Sequence, residues 1–172
     1  MKSRTSLLVA SLAVVCTAGL ASANTVRFTD ATGKYNGTGV GGAFVATRVS
    51  GDVGRTGGLG LTGNNFYTFC VERNASIQLN GTTTYFGQIA MSSSQGANGG
   101  VTSGTIRLSN ITARLYREFR NNGTFGRVGT FTNGYTTAAQ TDAIQNAIWA
   151  AQGQITVSSL TGDSLALYNW AK

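Results

Sequence analysis

Proline and histidine are both absent from the 172 residues of this chain. Without histidine, Cys–His and Ser–His nucleophilic pairs and histidine metal sites are excluded. Charge is sparse, at 11% of residues, against about a quarter in an ordinary globular domain. Only six carboxylates are present. They are scattered, so a paired-carboxylate hydrolase finds no support in their spacing. No apolar run approaches the ~20 residues of a membrane span. Cysteine is also scarce, with Cys16 and Cys70 the two in the chain.

Met1 to Ala23 read as a secretory signal. Lys2 and Arg4 form its charged start, Leu7 to Val15 its apolar run, and Ala21-Ser22-Ala23 a small-residue cleavage site before Asn24. Val15 stands before Cys16 where a lipoprotein signal wants a small residue. Removing the signal from 172 residues leaves 149, enough for one domain with its own core. The exported compartment is oxidising, yet Cys70 then has no partner within the mature chain. That leaves an intermolecular pair, a free thiol, or some other bond.

Glycine is plentiful, at 24 residues, with much Thr, Asn and Ser. This is the composition of a turn-rich, β-containing exported protein. Clustered aromatic and aliphatic residues argue against disorder. Of the net charge of +7, Lys2 and Arg4 supply two, leaving +5 on the mature chain. Arg107, Arg114, Arg117, Arg120 and Arg127 fall in one region. No stacking aromatics interleave with them, so they read as a solvated face, and nucleic acid is not an expected partner.

Alternation predicts strands at Thr25 to Thr29, Ala43 to Val49 and Phe66 to Glu72. The last has aromatics on both faces and is expected to be central, with Cys70 partly buried. Gly33 to Gly42 lacks the spacing of a phosphate-binding loop and reads as a turn region. Gly51 to Asn65 is a second glycine-rich connection. Asn80-Gly81 signals a hairpin leading into a strand over Thr82 to Met91. Ser92 to Gly104 reads as a loop. Ser109 caps a helix to about Arg120, with Ile111, Leu115, Tyr116 and Phe119 inward and Arg114, Arg117, Glu118 and Arg120 outward. Thr124 to Thr132 is a short strand or loop. Thr136 or Thr137 caps an amphipathic helix that Gly153 stops. Asp163 caps a last helix, Ser164 to Lys172, with Leu165, Leu167 and Tyr168 available for packing. The expected fold is α+β: an antiparallel β-sheet or sandwich with a small helical layer, about three helices, in the C-terminal half. Residues 24–172 form one domain.

On the central helix Gln145 shares a face with Thr141, Ile148, Trp149 and Gln152. It sits at the edge of an apolar stripe made by Ile144, Ala147, Ile148 and Ala151. A carboxamide there is costly unless hydrogen-bonded or chemically consumed. On the residues alone, a bond to a backbone carbonyl or to Thr68 accounts for it.

Tyr67-Thr68-Phe69-Cys70-Val71-Glu72, followed by Ile144-Gln145-Asn146-Ala147-Ile148-Trp149, resembles the thioester domains of bacterial surface proteins. In those, an aromatic-Cys-hydrophobic-acidic motif meets a hydrophobic-Gln-x-x-hydrophobic-Trp helix. Thr112-Ala113-Arg114-Leu115-Tyr116 is similar to a further recurring block. The likeness runs from Ala43 to about Trp170 and is greatest to the versions in exosortase-sorted proteins, which usually end in a Pro-Glu-Pro tail. That tail, and the strands usually found after the last helix, are not in this sequence, so the domain is expected to continue past Lys172.

The resemblance implies that Cys70 and Gln145 form an internal thioester. A thiolate attacks the Gln145 carboxamide carbon and expels ammonia. An incoming amine or hydroxyl then takes the acyl group and frees the thiol. This is single-use capture rather than enzymatic turnover, and it uses no cofactor and no metal. Survival of the bond needs water excluded, which makes Trp149, Phe69 and Phe66 candidates for the lid or walls, while plain core packing accounts for Trp149 at least as well. Glu72 is the nearest candidate proton acceptor by sequence, though a strand-end carboxylate paired with Arg73 or another arginine is the reading that comes first. Thr68 and Thr141 are candidate donors to the Gln145 carbonyl. The implied protein is a secreted or cell-surface monomer without a membrane span. Its partner is an amine or hydroxyl on a surface protein or polysaccharide. The alternative is a non-covalent structural or polymer-binding module of the cell envelope with no thioester.

Overall fold

The computed structural model describes residues 24–33, 37, 41–51, 57–73, 77–86, 92–95, 104–121, 123–131 and 137–172. The signal-like segment, parts of both glycine-rich connections and the end of the Thr82 to Met91 prediction lie outside these residues.

The chain is α+β. Strands β1 (Thr25–Asp30), β2 (Phe44–Ser50), β3 (Asn65–Thr68) and β4 (Tyr85–Phe86) form an antiparallel sheet in the order β3-β2-β1-β4. A separate antiparallel pair joins β5 (Ser92–Gln95) to β6 (Gly104–Arg107). The Ser92 to Gly104 segment is therefore not wholly loop, because it opens with a strand. Three helices follow: α1 (Asn110–Arg120), α2 (Ala138–Ala151) and α3 (Gly162–Ala171).

The strand expected over Phe66 to Glu72 is shorter and lies at a sheet edge. Its ladder ends where Thr68 pairs with Phe44, the first residue of β2, so residues after Thr68 have no strand to pair with. The other edge of β3 is covered from α1, where the Tyr116 hydroxyl donates to the Tyr67 carbonyl at 2.7 Å. That cover explains how an edge strand keeps Tyr67 buried.

Local chemistry sets the helix ends. The Ser109 hydroxyl accepts from the Thr112 amide at 3.0 Å. Thr137 and Gln140 form a capping box on α2. At its far end Gly153 adopts φ +71°, a left-handed conformation suited to glycine. Asp163 does not cap α3. Thr161 does, with Ser164 completing the box, and Asp163 instead accepts from the Thr130 amide at 3.0 Å and from its hydroxyl.

On α1 the buried residues are Thr112, Leu115 and Phe119, while Ile111 and Tyr116 are half-buried. Arg120, expected to face outward, is half-buried and donates from Nη2 to the Gly57 carbonyl at 2.6 Å. Leu165 is exposed, whereas Leu167 is fully buried.

Helix α2 is buried on nearly every side rather than amphipathic. It packs against both α1 and α3, and a helix surrounded in this way needs no polar face. Phe119 anchors the layer between sheet and helices. Its ring meets Phe69 edge-on at 4.7 Å and Tyr67 at 6.2 Å. Each such aromatic buries enough apolar surface to stabilise the fold by about 1.5–3 kcal/mol. Among the described residues no helix is long and apolar enough to cross a membrane.

Candidate functional site

Because β3 ends at Thr68, the main chain of Cys70 is released from the sheet. Its amide and carbonyl need other partners. Gln145, 75 residues away in sequence, supplies both: the Cys70 amide donates to Oε1 at 3.1 Å, and Nε2 donates to the Cys70 carbonyl at 2.7 Å. The carboxamide thus stands where a neighbouring strand would have stood. Gln145 is 0% exposed, so it lies inside the core and not at the edge of a stripe.

The groups that grip the carboxamide belong to the residue that carries the thiol. Rotation about the Cys70 χ1, with the Gln145 side-chain torsions, sets how close Sγ comes to the carboxamide carbon. Cys70 is half-buried and forms no disulfide. Burial pushes its thiol up to about 11, so at neutral pH it is protonated.

The cover over Gln145 comes from the glycine-rich connection read from sequence only as a turn region. A Cβ at Gly41 would lie 2.7 Å from Gln145 Cγ and 3.2 Å from Trp149 Cη2. Only a residue without a side chain lets the backbone approach this closely. Trp149, one turn after Gln145, is 3% exposed. The Arg73 guanidinium lies 6.0 Å from its ring centroid. Its indole N–H has no hydrogen-bond partner among the described residues.

The other candidates fall around this pair. Phe69 is buried against Phe119 and Phe66 is half-buried. Glu72 is buried in the bend after Cys70, so the alternation expected of a strand breaks there. The Thr68 hydroxyl bonds to Tyr116, whose own ionisation is raised chiefly by burial. The Thr141 hydroxyl, fully buried, donates to the Thr137 carbonyl at 3.2 Å. The bond to the Gln145 oxygen comes from the Cys70 main chain.

Sequence reasoning did not pick out two further glutamines of the same helix region as ties. Gln152 accepts from the Ser109 amide at 2.9 Å and the Thr112 hydroxyl at 2.8 Å, joining α2 to the start of α1. Gln140 donates to the Thr130 carbonyl at 2.8 Å. Polar residues recurring on a buried helix face are the sequence signal for such ties. Comparison with family models, with curated proteins and with solved structures finds no match for the chain.

Proposed function

We propose that this is a secreted or surface-exposed capture domain in which Cys70 and Gln145 form an internal thioester. The observation that carries the reading is the two-point hydrogen bond between the Gln145 carboxamide and the Cys70 main chain, sealed from solvent. In the first step Sγ bonds to the carboxamide carbon, the C–N bond breaks, and the nitrogen leaves as ammonia with the thiol proton. The Cys70 amide already donates to the oxygen on which negative charge develops, as a catalytic oxyanion donor does. Glu72 is the proposed proton acceptor, and Trp149, Phe69 and Phe66 are the proposed walls, with Thr68 and Thr141 as framework. In the second step an amine or hydroxyl of a surface protein or polysaccharide bonds to the same carbon, and the thiol regains a proton. The desolvation that raises the thiol also disfavours expulsion of thiolate by stray water, prolonging the life of the bond.

The test is the intact mass of the mature protein. The expected mass is one ammonia below that of the sequence. The deficit disappears in Cys70→Ala and in Gln145→Ala, and a small added amine appears as a covalent adduct. A full sequence mass with Cys70 open to alkylation refutes the thioester. One observation favours a second reading, a non-covalent envelope module: Gln140 and Gln152 are buried and bonded to main-chain groups without any cysteine nearby. On that reading Cys70→Ser leaves surface attachment unchanged.

A further inference from the structure

Beside the end of β3 is a partly open pocket of about 350 Å³. Its walls include Phe69 and Val71, which flank Cys70, and Ile148, one turn along α2 from Gln145; Leu108, Ala113 and Tyr116 close the far side. No Lys, Arg, Asp or Glu lines it. The hydroxyls in its wall are already engaged, and the carboxamide of Asn110, at the start of α1, is the other polar side group there. Tyr116 donates to the Tyr67 carbonyl, Thr112 donates to Gln152, and Thr68 bonds to Tyr116.

A sugar ring placed there would lose water from its several hydroxyls, with the Asn110 carboxamide as the one free polar side group in the wall to replace it. A phenyl ring or branched alkyl group loses nothing of that kind. A dry apolar cavity of about 150 Å³ accommodates benzene, so this space suits an aromatic ring with a short chain.

We infer that this pocket receives the apolar body of the acyl acceptor, an arylalkyl amine or alcohol, and so selects among the nucleophiles offered to the Gln145 acyl group. The inference rests on the thioester reading and narrows it: the favoured acceptor is carried on an aromatic or branched side group rather than on a sugar. The pocket and the reactive pair share the same short stretch of chain and the same helix turn. Neither Cys70 nor Gln145 itself lines the pocket, so the amine or hydroxyl of an acceptor seated there has to extend past Phe69 and Ile148 to reach the acyl carbon.

The experiment compares 2-phenylethylamine with ethanolamine, an amine of similar basicity that lacks the apolar body. Adduct formation on the mature protein is followed by intact mass at equal amine concentration. The aryl amine is expected to react about tenfold faster or more, the range of discrimination an apolar pocket supplies. Ala113→Trp fills the pocket from an exposed helix position, and the ratio is expected to fall towards one. A second measurement is independent of the bond. In Cys70→Ala, which cannot acylate, 2-phenylethanol is expected to shift the methyl resonances of Val71, Leu108 and Ile148, and adding Ala113→Trp is expected to abolish the shifts. Adducts forming at equal rates from the two amines overturn the pocket's role and leave the thioester standing. Adducts from neither amine, with an unaltered mass, overturn both. Unshifted methyl resonances in Cys70→Ala overturn the pocket whatever the covalent chemistry does.

Discussion

Gln145→Glu exchanges one amide nitrogen for oxygen, and its effect follows from the geometry. It is best introduced beside Cys70→Ala, which keeps the main-chain amide and carbonyl at position 70 while removing any covalent bond. As a neutral acid the new side chain reproduces both bonds, accepting from the Cys70 amide and donating its proton to the Cys70 carbonyl. As a carboxylate it sets a negative oxygen against that carbonyl in a place with 0% exposure. The folded protein therefore holds the group protonated, with its pKa raised above the unfolded value of about 4.3. The sign follows directly. The folded state binds the extra proton, so the variant is least penalised below pH ~4.3 and loses stability as pH rises towards the folded pKa. The slope is about 1.4 kcal/mol per pH unit, so by pH 7 the loss approaches ~3.7 kcal/mol where the group stays neutral throughout. Urea unfolding at pH 4, 5.5 and 7 measures it against Cys70→Ala alone. A difference independent of pH over that range would show that the carboxamide does not occupy the sealed, two-bond position.

Two further outcomes test the surroundings of the pair. Because burial pushes Cys70 to about 11, the thiol left after amine capture should alkylate slowly at pH 8, with the rate climbing as pH approaches that value; a rate that levels off near pH 9 contradicts the burial. Gly41→Ala places a Cβ at 2.7 Å from Gln145 Cγ, an overpacking expected to cost about 1–3 kcal/mol. Denaturation should report that loss, and intact mass should show a smaller ammonia-deficient fraction; unchanged values in both would mean that the loop does not rest on Gln145.

The parts of the fold legible in sequence were those decided within one turn of chain. Ser109, Thr137 and Gly153 mark helix ends because a cap is chosen by residues three or four apart. The length of β3 was not legible, because it is fixed by where β2 begins, at Phe44, some twenty residues earlier. Its aromatics suggested a central strand since burial on both faces normally comes from neighbouring strands; here α1 supplies part of the cover through Tyr116. Strand β5 is built of Ser-Ser-Ser-Gln, which carries no strand preference of its own. At the candidate site, a helical wheel places Gln145 beside the apolar stripe but cannot show a distant loop folding over it. Gly41 is the residue that completes the enclosure, and glycine clusters reveal a close backbone approach only once the opposing surface is known.

The three buried glutamines of this helix region bear on the reactivity proposed for Gln145, since burial and satisfied hydrogen bonds are common to all of them. A carboxamide is a poor acyl donor, and neither enclosure nor a donor at its oxygen changes that without a nucleophile held against the carbon. Gln152 accepts from the Ser109 amide and the Thr112 hydroxyl, beside the cap that the Ser109 hydroxyl makes on α1. Gln140 is committed to its own capping box and to Thr130. Gln145 alone among them bonds to the residue that carries a thiol. The same contact that satisfies a buried amide also fixes the main chain of the cysteine, and on the proposed reading this supplies the entropic part of an intramolecular reaction. A structural tie of this kind can acquire chemistry by a change at the partner residue alone, with no change in the glutamine, the helix or the cap.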